Sequence, residues 1–201
     1  MHPARKAEID RLARLAHLGA EQATRAFSEL VDRPIRPGPP IVIDAEADAE
    51  PPPGSEDAGE RPTGVFFELD GCLEAVVGIL LPYASSQAIV RRMIGTAEGD
   101  PPADVVEPAL MELGNILASH VASAIADHLQ SRLLPSIPTL AMSRADEALH
   151  VFIEDVAGAD ALRIVSPFAD DEGEIEGRLI VVPTQVAHWA PIHPASGSPD
   201  L

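Results

Sequence analysis

The stretch Pro108-Ala-Leu-Met-Glu-Leu-Gly-Asn-Ile-Leu-Ala-Ser-His120 opens a long apolar pattern that runs on toward Pro138. Its apolar residues recur at intervals of three and four, which is typical of an amphipathic helix with one buried face. They are Leu110, Leu113, Leu117, Val121, Ala124, Ile125 and Leu129. The pattern predicts a long helix whose opposite face meets solvent.

That solvent face carries two polar side chains. Glu112 and Asn115 are three residues apart, so on a helix they project from one face. The same face is predicted to continue through small residues, namely Ser119, Ala122, Ser123 and Ala126. A carboxylate and a carboxamide above short side chains form a platform that another protein can approach closely. A Glu and an Asn at this spacing also occur by chance on helices, so the pair alone carries little weight.

An earlier helical pattern, residues 7–31, has the same apolar spacing 98 residues upstream. The same offset relates Pro40 to Pro138. A repeat of this length indicates a duplicated half-domain rather than a solenoid. The upstream stripe comprises Leu12, Leu15, Gly19, Ala23, Ala26, Phe27 and Leu30.

The two copies differ on their solvent faces. Arg14 and His17 stand where the second copy has Glu112 and Asn115, and bulkier residues follow, namely Glu21, Arg25 and Ser28. We therefore expect only the second copy to carry a site. His17 is predicted to be an ordinary solvent-exposed helix histidine rather than a general base. The remaining histidines show no metal-ligand spacing.

Composition excludes several classes of protein. The formal net charge of −18 argues against nucleic acid as a partner, because phosphate contacts need clustered Lys and Arg. It suits a protein that meets a basic patch, or one that is simply well solvated. The single cysteine, Cys72, excludes an intrachain disulfide and is predicted to be a buried thiol in a strand. No membrane span or signal peptide is evident, so a cytoplasmic protein is expected.

The rest of the chain predicts one α/β domain over residues 1–183, with half-repeats at about 7–95 and 104–183. Asp70-Gly71 is predicted to be the turn of a β-hairpin. The predicted strands span 41–43, 64–69, 72–81, 139–142, 148–154, 162–168 and 176–182.

Three further boundaries follow from capping and composition. A helix is predicted at 85–94, with Ser85 or Ser86 as its N-cap and Gly95 at its end. A linker at 96–103 leads to the second long helix, which begins near Asp104, or near Glu107 with Pro108 in its first turn. The predicted loops and tails are the 34–40 turn, the acidic, proline-rich loop 44–63 and a flexible tail at 184–201.

The motif Glu112-x-x-Asn115, followed after twenty-two residues by Pro138, resembles the pattern of the CheC/CheX/FliY chemotaxis phosphatases. The surrounding Glu-Leu-Gly-Asn-Ile-Leu and the later run at 176–183 look most like CheC. The family pattern has Asp or Ser four residues before the Glu, where this chain has Pro108. The resemblance implies a CheC-like fold: two long helices packed on a mainly antiparallel sheet, related by pseudo-twofold symmetry.

The resemblance also implies a function, hydrolysis of the phosphoaspartate of a CheY-type response regulator. Asn115 would orient the attacking water and Glu112 would dock the regulator's lysine. The protein would need no cofactor of its own, since Mg²⁺ is expected on the regulator. Gly114 inside the helix indicates close approach of a neighbour, or is simply tolerated at about 1 kcal/mol.

An alternative stays open. Relatives such as the FliM middle domain use this fold for docking, so the chain could be a non-catalytic module of a signalling array or flagellar switch. CheD is a candidate partner by resemblance, and no residue pattern identifies its surface. The pattern names neither the regulator nor the oligomeric state.

Overall fold

The computed structural model describes residues 3–43, 62–96, 99–158 and 161–184. The greater part of the predicted 44–63 loop and of the 184–201 tail lies outside these residues. The elements are α1 (Pro3–Val31), β1 (Ile35–Pro37), β2 (Ile41–Ile43), β3 (Thr63–Gly71), β4 (Ala75–Leu81), α2 (Tyr83–Met93), α3 (Ala103–Leu129), β5 (Leu133–Pro135), β6 (Thr139–Ala141), α4 (Ala145–Ala157), β7 (Arg163–Asp170) and β8 (Glu176–Pro183).

A single sheet organises the described residues. Its strand order is β1-β7-β8-β4-β3-β5, with β2 also pairing to β7 and β6 also pairing to β3, and every ladder is antiparallel. The short strands of each half pair with the long hairpin of the other half. The arrangement is a pseudo-twofold about the β4–β8 ladder, as predicted.

The two long helices lie side by side on one face of this sheet. The predicted stripes are buried in both, apart from the half-buried Leu30 and Leu129. Gly19 sets how closely the helices approach, because a Cβ added there would lie 3.2 Å from Val121 Cγ1. Phe27 on α1 meets Phe168 on β7 edge-to-face, at 5.7 Å between ring centroids. By length and composition α3 could cross a membrane, but half of its apolar window is buried in the protein.

The segment 148–154 was predicted to be a strand, and the prediction is wrong: it lies within α4. Its β-branched and aromatic residues favour a strand locally. The buried residues, however, are Ala145, Leu149 and Ile153, whose spacing of four is helical. They form a second core with the sheet face opposite α1 and α3, which includes Phe66 and Ile180.

The hairpin prediction holds, but its turn was misplaced. Asp70 and Gly71 are the last residues of β3, paired with β5, and the connection to β4 is 72–74. Cys72 is half-buried in that turn rather than in a strand, and its N–H donates to the Arg132 carbonyl at 3.0 Å. Thr63, predicted as loop, begins β3 and is fully buried.

Two strands and three helix starts also differ from prediction. Helix α1 begins at Pro3 rather than at residue 7. The three-residue strands β1 and β5 were missed, because their flanking prolines indicate turns. Helix α2 begins at Tyr83, so neither serine caps it. The Ser85 hydroxyl instead accepts the Glu176 N–H at 3.1 Å, and the Ser86 hydroxyl donates to the Tyr83 carbonyl at 2.7 Å. Helix α3 begins at Ala103, one residue before Asp104, and contains Pro108 in its interior.

A charged cluster ties the β7–β8 turn to the ends of α1 and α2. The buried Asp170 carboxylate accepts from Arg33 at 2.8 Å and from the N–H groups of Glu174 and Ile175 at 2.9 and 3.2 Å. Arg92 donates to Glu174 at 2.6 Å. Burial by itself raises the pKa of Asp170, but the Arg33 hydrogen bond, the two N–H groups and the Arg33 charge together hold that pKa below its ordinary value.

Asp170→Ala is expected to destabilise the protein by about 3 kcal/mol, because the N–H groups of Glu174 and Ile175 lose their acceptor and Arg33 loses one of its three carboxylate partners. For a chain of this size the melting temperature should fall by roughly 6–12 °C. Since the folded-state pKa is lowered, this stabilisation is present above the unfolded-state pKa and is lost as pH falls through the folded-state value. The difference in free energy of unfolding between wild type and Asp170→Ala, measured by urea unfolding, should therefore become smaller below about pH 4.

The control is Asp171→Ala, which removes an exposed carboxylate that pairs with the exposed Arg36 at 3.1 Å. Surface ion pairs of this kind contribute about 0–1 kcal/mol. The role assigned to the buried carboxylate would be contradicted if Asp170→Ala lost no more free energy of unfolding than Asp171→Ala, or if its loss became larger as the pH fell.

Candidate functional site

The solvent face of α3 presents the predicted pair. Glu112 and Asn115 are both exposed, one turn apart. Among the described residues, neither side chain has a hydrogen-bond or ion-pair partner, so both are available to a ligand or another protein. The backbone carbonyl of Asn115 accepts the Ser119 hydroxyl at 2.8 Å, which leaves the carboxamide uninvolved. The arrangement offers one anionic acceptor beside one group that both donates and accepts.

The platform around the pair is narrower than predicted. Ser119 and Ser123 are exposed, but Ala122 is only 2% exposed and belongs to the core, and Ala126 is half-buried. The buried surface of α3 is wide because the helix packs against both α1 and the sheet. Short polar side chains therefore border the pair along one line of the helix, and a partner can approach there.

Gly114 and Pro138 hold this part of α3 against the sheet. A Cβ added to Gly114 would lie 2.4 Å from Val65 Cγ1 on β3 and 3.4 Å from Pro138 Cβ. Pro138 is buried just before β6. The glycine therefore permits close approach of helix and sheet, which is one of the two sequence interpretations. The proline, distant in sequence, is brought beside the Glu-x-x-Asn turn.

Gly114→Val is expected to destabilise the protein by about 2 kcal/mol, because the added side chain overlaps β-branched Val65, which has little rotamer freedom. Ser123→Val is the matched control, since it places the same β-branched residue on the exposed face of the same helix. Thermal unfolding of both variants measures the difference. Equal stability of the two variants would show that the helix has room at Gly114.

The corresponding face of α1 is built differently. Arg14 is exposed, whereas the His17 side chain is 38% exposed, with Nε2 3.6 Å from a Glu21 carboxylate oxygen and Nδ1 buried without a partner in the described part of the chain. The predicted solvent-exposed histidine is thus half-buried. Ser28, predicted to lie on the same face, instead binds β1: its hydroxyl accepts the Ile35 N–H at 2.8 Å and donates to the Thr24 carbonyl at 2.6 Å.

Sequence reasoning missed the β5–β6 loop, residues 136–138, beside the pair. The Ser136 N–H donates to the Glu68 carbonyl at 2.8 Å, and its hydroxyl accepts the Glu68 N–H at 2.9 Å. Ile137, which lies between Ser136 and Pro138, is 86% exposed. The sequence motif draws attention only to Pro138 in this loop. The exposure of Ile137 depends on how the chain folds, so the sequence did not predict it.

Metal ligands do not gather in the described residues, where no group of three or more His, Cys, Asp or Glu side chains is placed to hold an ion. His120 and His128 lie exposed on α3.

Comparison with known sequences finds a CheC protein. CheC of Bacillus subtilis (strain 168), described as a CheY-P phosphatase, is 26% identical over 148 residues. The match covers 67% of this chain and 66% of that relative, slightly less than two thirds of the relative's length. No protein-family profile matches the chain.

Comparison with solved structures finds the same fold. FliY of Thermotoga maritima superposes with a TM-score of 0.65 at 15% identity, covering 92% of this chain and 91% of FliY. A chain of the CheX–CheY–BeF3–Mg²⁺ complex from Borrelia burgdorferi superposes with a TM-score of 0.58 at 11% identity, covering 84% and 97%. The resemblance to the CheC/CheX/FliY proteins is confirmed, in sequence to CheC and in fold to FliY and CheX.

Proposed function

We propose that this chain is a phosphatase for the phosphoaspartate of a CheY-type response regulator. One observation supports this most strongly: Glu112 and Asn115 are exposed and unpartnered on the solvent face of α3, among the described residues of a chain similar to CheC. The fold is shared with a chain of a CheX–CheY complex that holds BeF3 and Mg²⁺.

Asn115 orients the water that attacks phosphorus. An acyl phosphate is already activated, so catalysis needs chiefly a water held in line with the phosphorus–carboxylate bond. A carboxamide suits this task because its oxygen accepts a hydrogen bond from the water while its NH2 group donates one to a neighbouring oxygen. The water oxygen bonds to phosphorus as the phosphorus–carboxylate bond breaks, the aspartate carboxylate leaves with the electron pair, and both water protons depart with the inorganic phosphate as dihydrogenphosphate, which exchanges them with solvent. The exposed, unengaged Asn115 side chain has the freedom that this role needs.

Glu112 docks the regulator through a lysine beside the acyl phosphate. The carboxylate is exposed, lacks a cation among its described neighbours and lies one helical turn before Asn115. An ion pair there would place Asn115 against the phosphoryl group. In this mechanism the regulator would hold Mg²⁺, which would supply positive charge beside the phosphoryl oxygens. We propose that this chain supplies no metal ligand of its own and that neither nucleic acid nor a membrane takes part.

The test of this function is catalytic turnover. A cognate CheY-type regulator is phosphorylated with a small-molecule phosphodonor, the donor is removed, and inorganic phosphate release is followed with this protein at a tenth of the regulator concentration. We expect several regulator molecules to be dephosphorylated per molecule of protein, at a rate above the intrinsic decay. Release that stays at the intrinsic rate would refute the proposal.

A second candidate function is docking without catalysis in a signalling array or flagellar switch. The only observation that favours it is the solvent face of the first helix. There Arg14 and a half-buried His17 replace the Glu and Asn, so one of two possible sites is absent. Tight binding of the regulator without accelerated phosphate release would support this second function. CheD as a partner and a cytoplasmic location are also part of the proposal; a binding titration of the purified proteins tests the first, and fractionation of cells that express the protein tests the second.

A further inference from the structure

Ile137 is the most exposed large apolar side chain in the described part of the protein, at 86%. It stands between two anchored residues. Ser136 makes two hydrogen bonds to the backbone of Glu68, and Pro138 is buried against Gly114 of α3. The isoleucine is therefore presented by a fixed loop rather than by a free end, and ordering it on binding costs little backbone entropy.

The loop lies close to Asn115. A Cβ built on Gly114 would lie 3.4 Å from Pro138 Cβ, and consecutive Cα atoms are about 3.8 Å apart. The Cα atoms of Asn115 and Ile137 are therefore at most on the order of 14 Å apart. A protein–protein interface of standard size buries about 800 Å² on each partner, which corresponds to a disc with a radius on the order of 16 Å. Ile137 therefore lies within reach of a partner centred on Asn115.

The two halves of the chain provide an internal comparison. The β1–β2 loop of the first half is held in the same way, because the Gly38 N–H donates to the Pro167 carbonyl at 2.7 Å. The residue 98 positions before Ile137 is Pro39, at the same place in that loop. The exposed isoleucine therefore occurs beside the helix that carries Glu112 and Asn115, and its counterpart loop beside Arg14 and His17 has no large aliphatic side chain between its strands.

We propose that Ile137 is an apolar anchor for the receiver domain of the response regulator, and that it helps to determine which regulator is accepted. This inference rests on the proposed function. The interface would then have an apolar contact at Ile137 and a charged contact at Glu112. The carboxamide of Asn115 would face the acyl phosphate of the regulator. Apolar anchors of this type supply affinity, whereas the charged pair supplies orientation.

The test separates binding from chemistry. Ile137→Ser is compared with the wild-type protein and with Val151→Ser, which removes an exposed apolar side chain from α4 on the opposite face of the sheet. The probe is a cognate CheY-type regulator carrying Mg²⁺ and BeF3⁻. We expect Ile137→Ser to weaken binding about tenfold or more, to raise KM for the phosphorylated regulator to a similar extent, and to change kcat less than twofold. Val151→Ser should leave all three quantities unchanged.

The outcomes distinguish this inference from the function on which it rests. If the wild-type protein dephosphorylates the regulator and Ile137→Ser has the same affinity and KM, only the anchor role of Ile137 is overturned. A wild-type protein that neither binds nor dephosphorylates the regulator overturns both. If Ile137→Ser instead converts a homodimer into a monomer, as measured by light scattering, without weakening regulator binding, the residue contacts a second copy of this chain and the proposal is wrong.

Discussion

Asn115→Ala is expected to reduce protein-accelerated dephosphorylation of the regulator by on the order of 100-fold or more, as loss of one preorganised group does at other reaction centres. The reason is that alanine cannot hold the attacking water in line with the scissile bond. The side chain is exposed and has no intramolecular partner in the described structure, so the variant should fold normally. Phosphate release from the phosphorylated regulator measures the effect.

Binding provides the control for this prediction. The affinity of Asn115→Ala for the regulator carrying Mg²⁺ and BeF3⁻ should stay within about threefold of wild type, because the interface is retained and only the water-positioning group is lost. Full dephosphorylation activity in this variant would remove the proposed mechanism. A loss of activity explained by a parallel loss of binding would reduce Asn115 to a docking residue.

Glu112→Arg is expected to weaken regulator binding on the order of 100-fold at low salt. The change replaces an attraction to the regulator's lysine with a repulsion between like charges, which is the situation at Arg14 on the first helix. The defect should shrink as ionic strength rises, because salt screens exposed charges beyond about 10 Å at 0.1 M. A titration at two salt concentrations measures both the loss and its screening.

The matched control is Arg14→Glu, which makes the reverse change at the corresponding position of α1. It should leave binding within about twofold of wild type, since the proposed ion pair with the regulator is made by Glu112 on α3 and not by position 14 on α1. A Glu112→Arg defect that is insensitive to salt would argue for a packing role. A stronger effect at Arg14 than at Glu112 would place the docking surface on α1.

The long elements could be predicted because their signals are local and repeated. The apolar spacing of α1 and α3 fixes their buried faces, and the coincidence of both stripes at an offset of 98 residues indicates the pseudo-twofold fold. The same offset relates β1 to β5 and β2 to β6 in the structure, although the strands of the first pair were too short to recognise. The internal sequence repeat thus predicted the pseudo-twofold symmetry correctly, although it did not reveal the shortest strands.

The misses arise where long-range packing decides the local structure. The residues of α4 favour a strand by type, but an uncovered sheet face around Phe66 and Ile180 is buried by Leu149 and Ile153 only when they lie on a helix. The hairpin turn was placed at Asp70-Gly71 because that dipeptide is a strong turn signal. In the folded chain β5 pairs with both residues and extends β3 through them.

The site shows the same division. Exposure of Glu112 and Asn115 followed from helical spacing, while Ala122 was assigned to the wrong face because α3 is buried over a wide arc by both α1 and the sheet. Contact between Gly114 and Pro138 depends on the connection through β5 and cannot be read from twenty-two intervening residues. The exposure of Ile137 depends on the same connection.

The reaction takes place on the second long helix and not on the first. The decay rate of the phosphorylated regulator, measured with Asn115→Ala and with His17→Ala under identical conditions, distinguishes the two helices. We expect intrinsic decay with Asn115→Ala and wild-type acceleration with His17→Ala. Intrinsic decay with His17→Ala together with full acceleration by Asn115→Ala would contradict this expectation and place the reaction on the first helix.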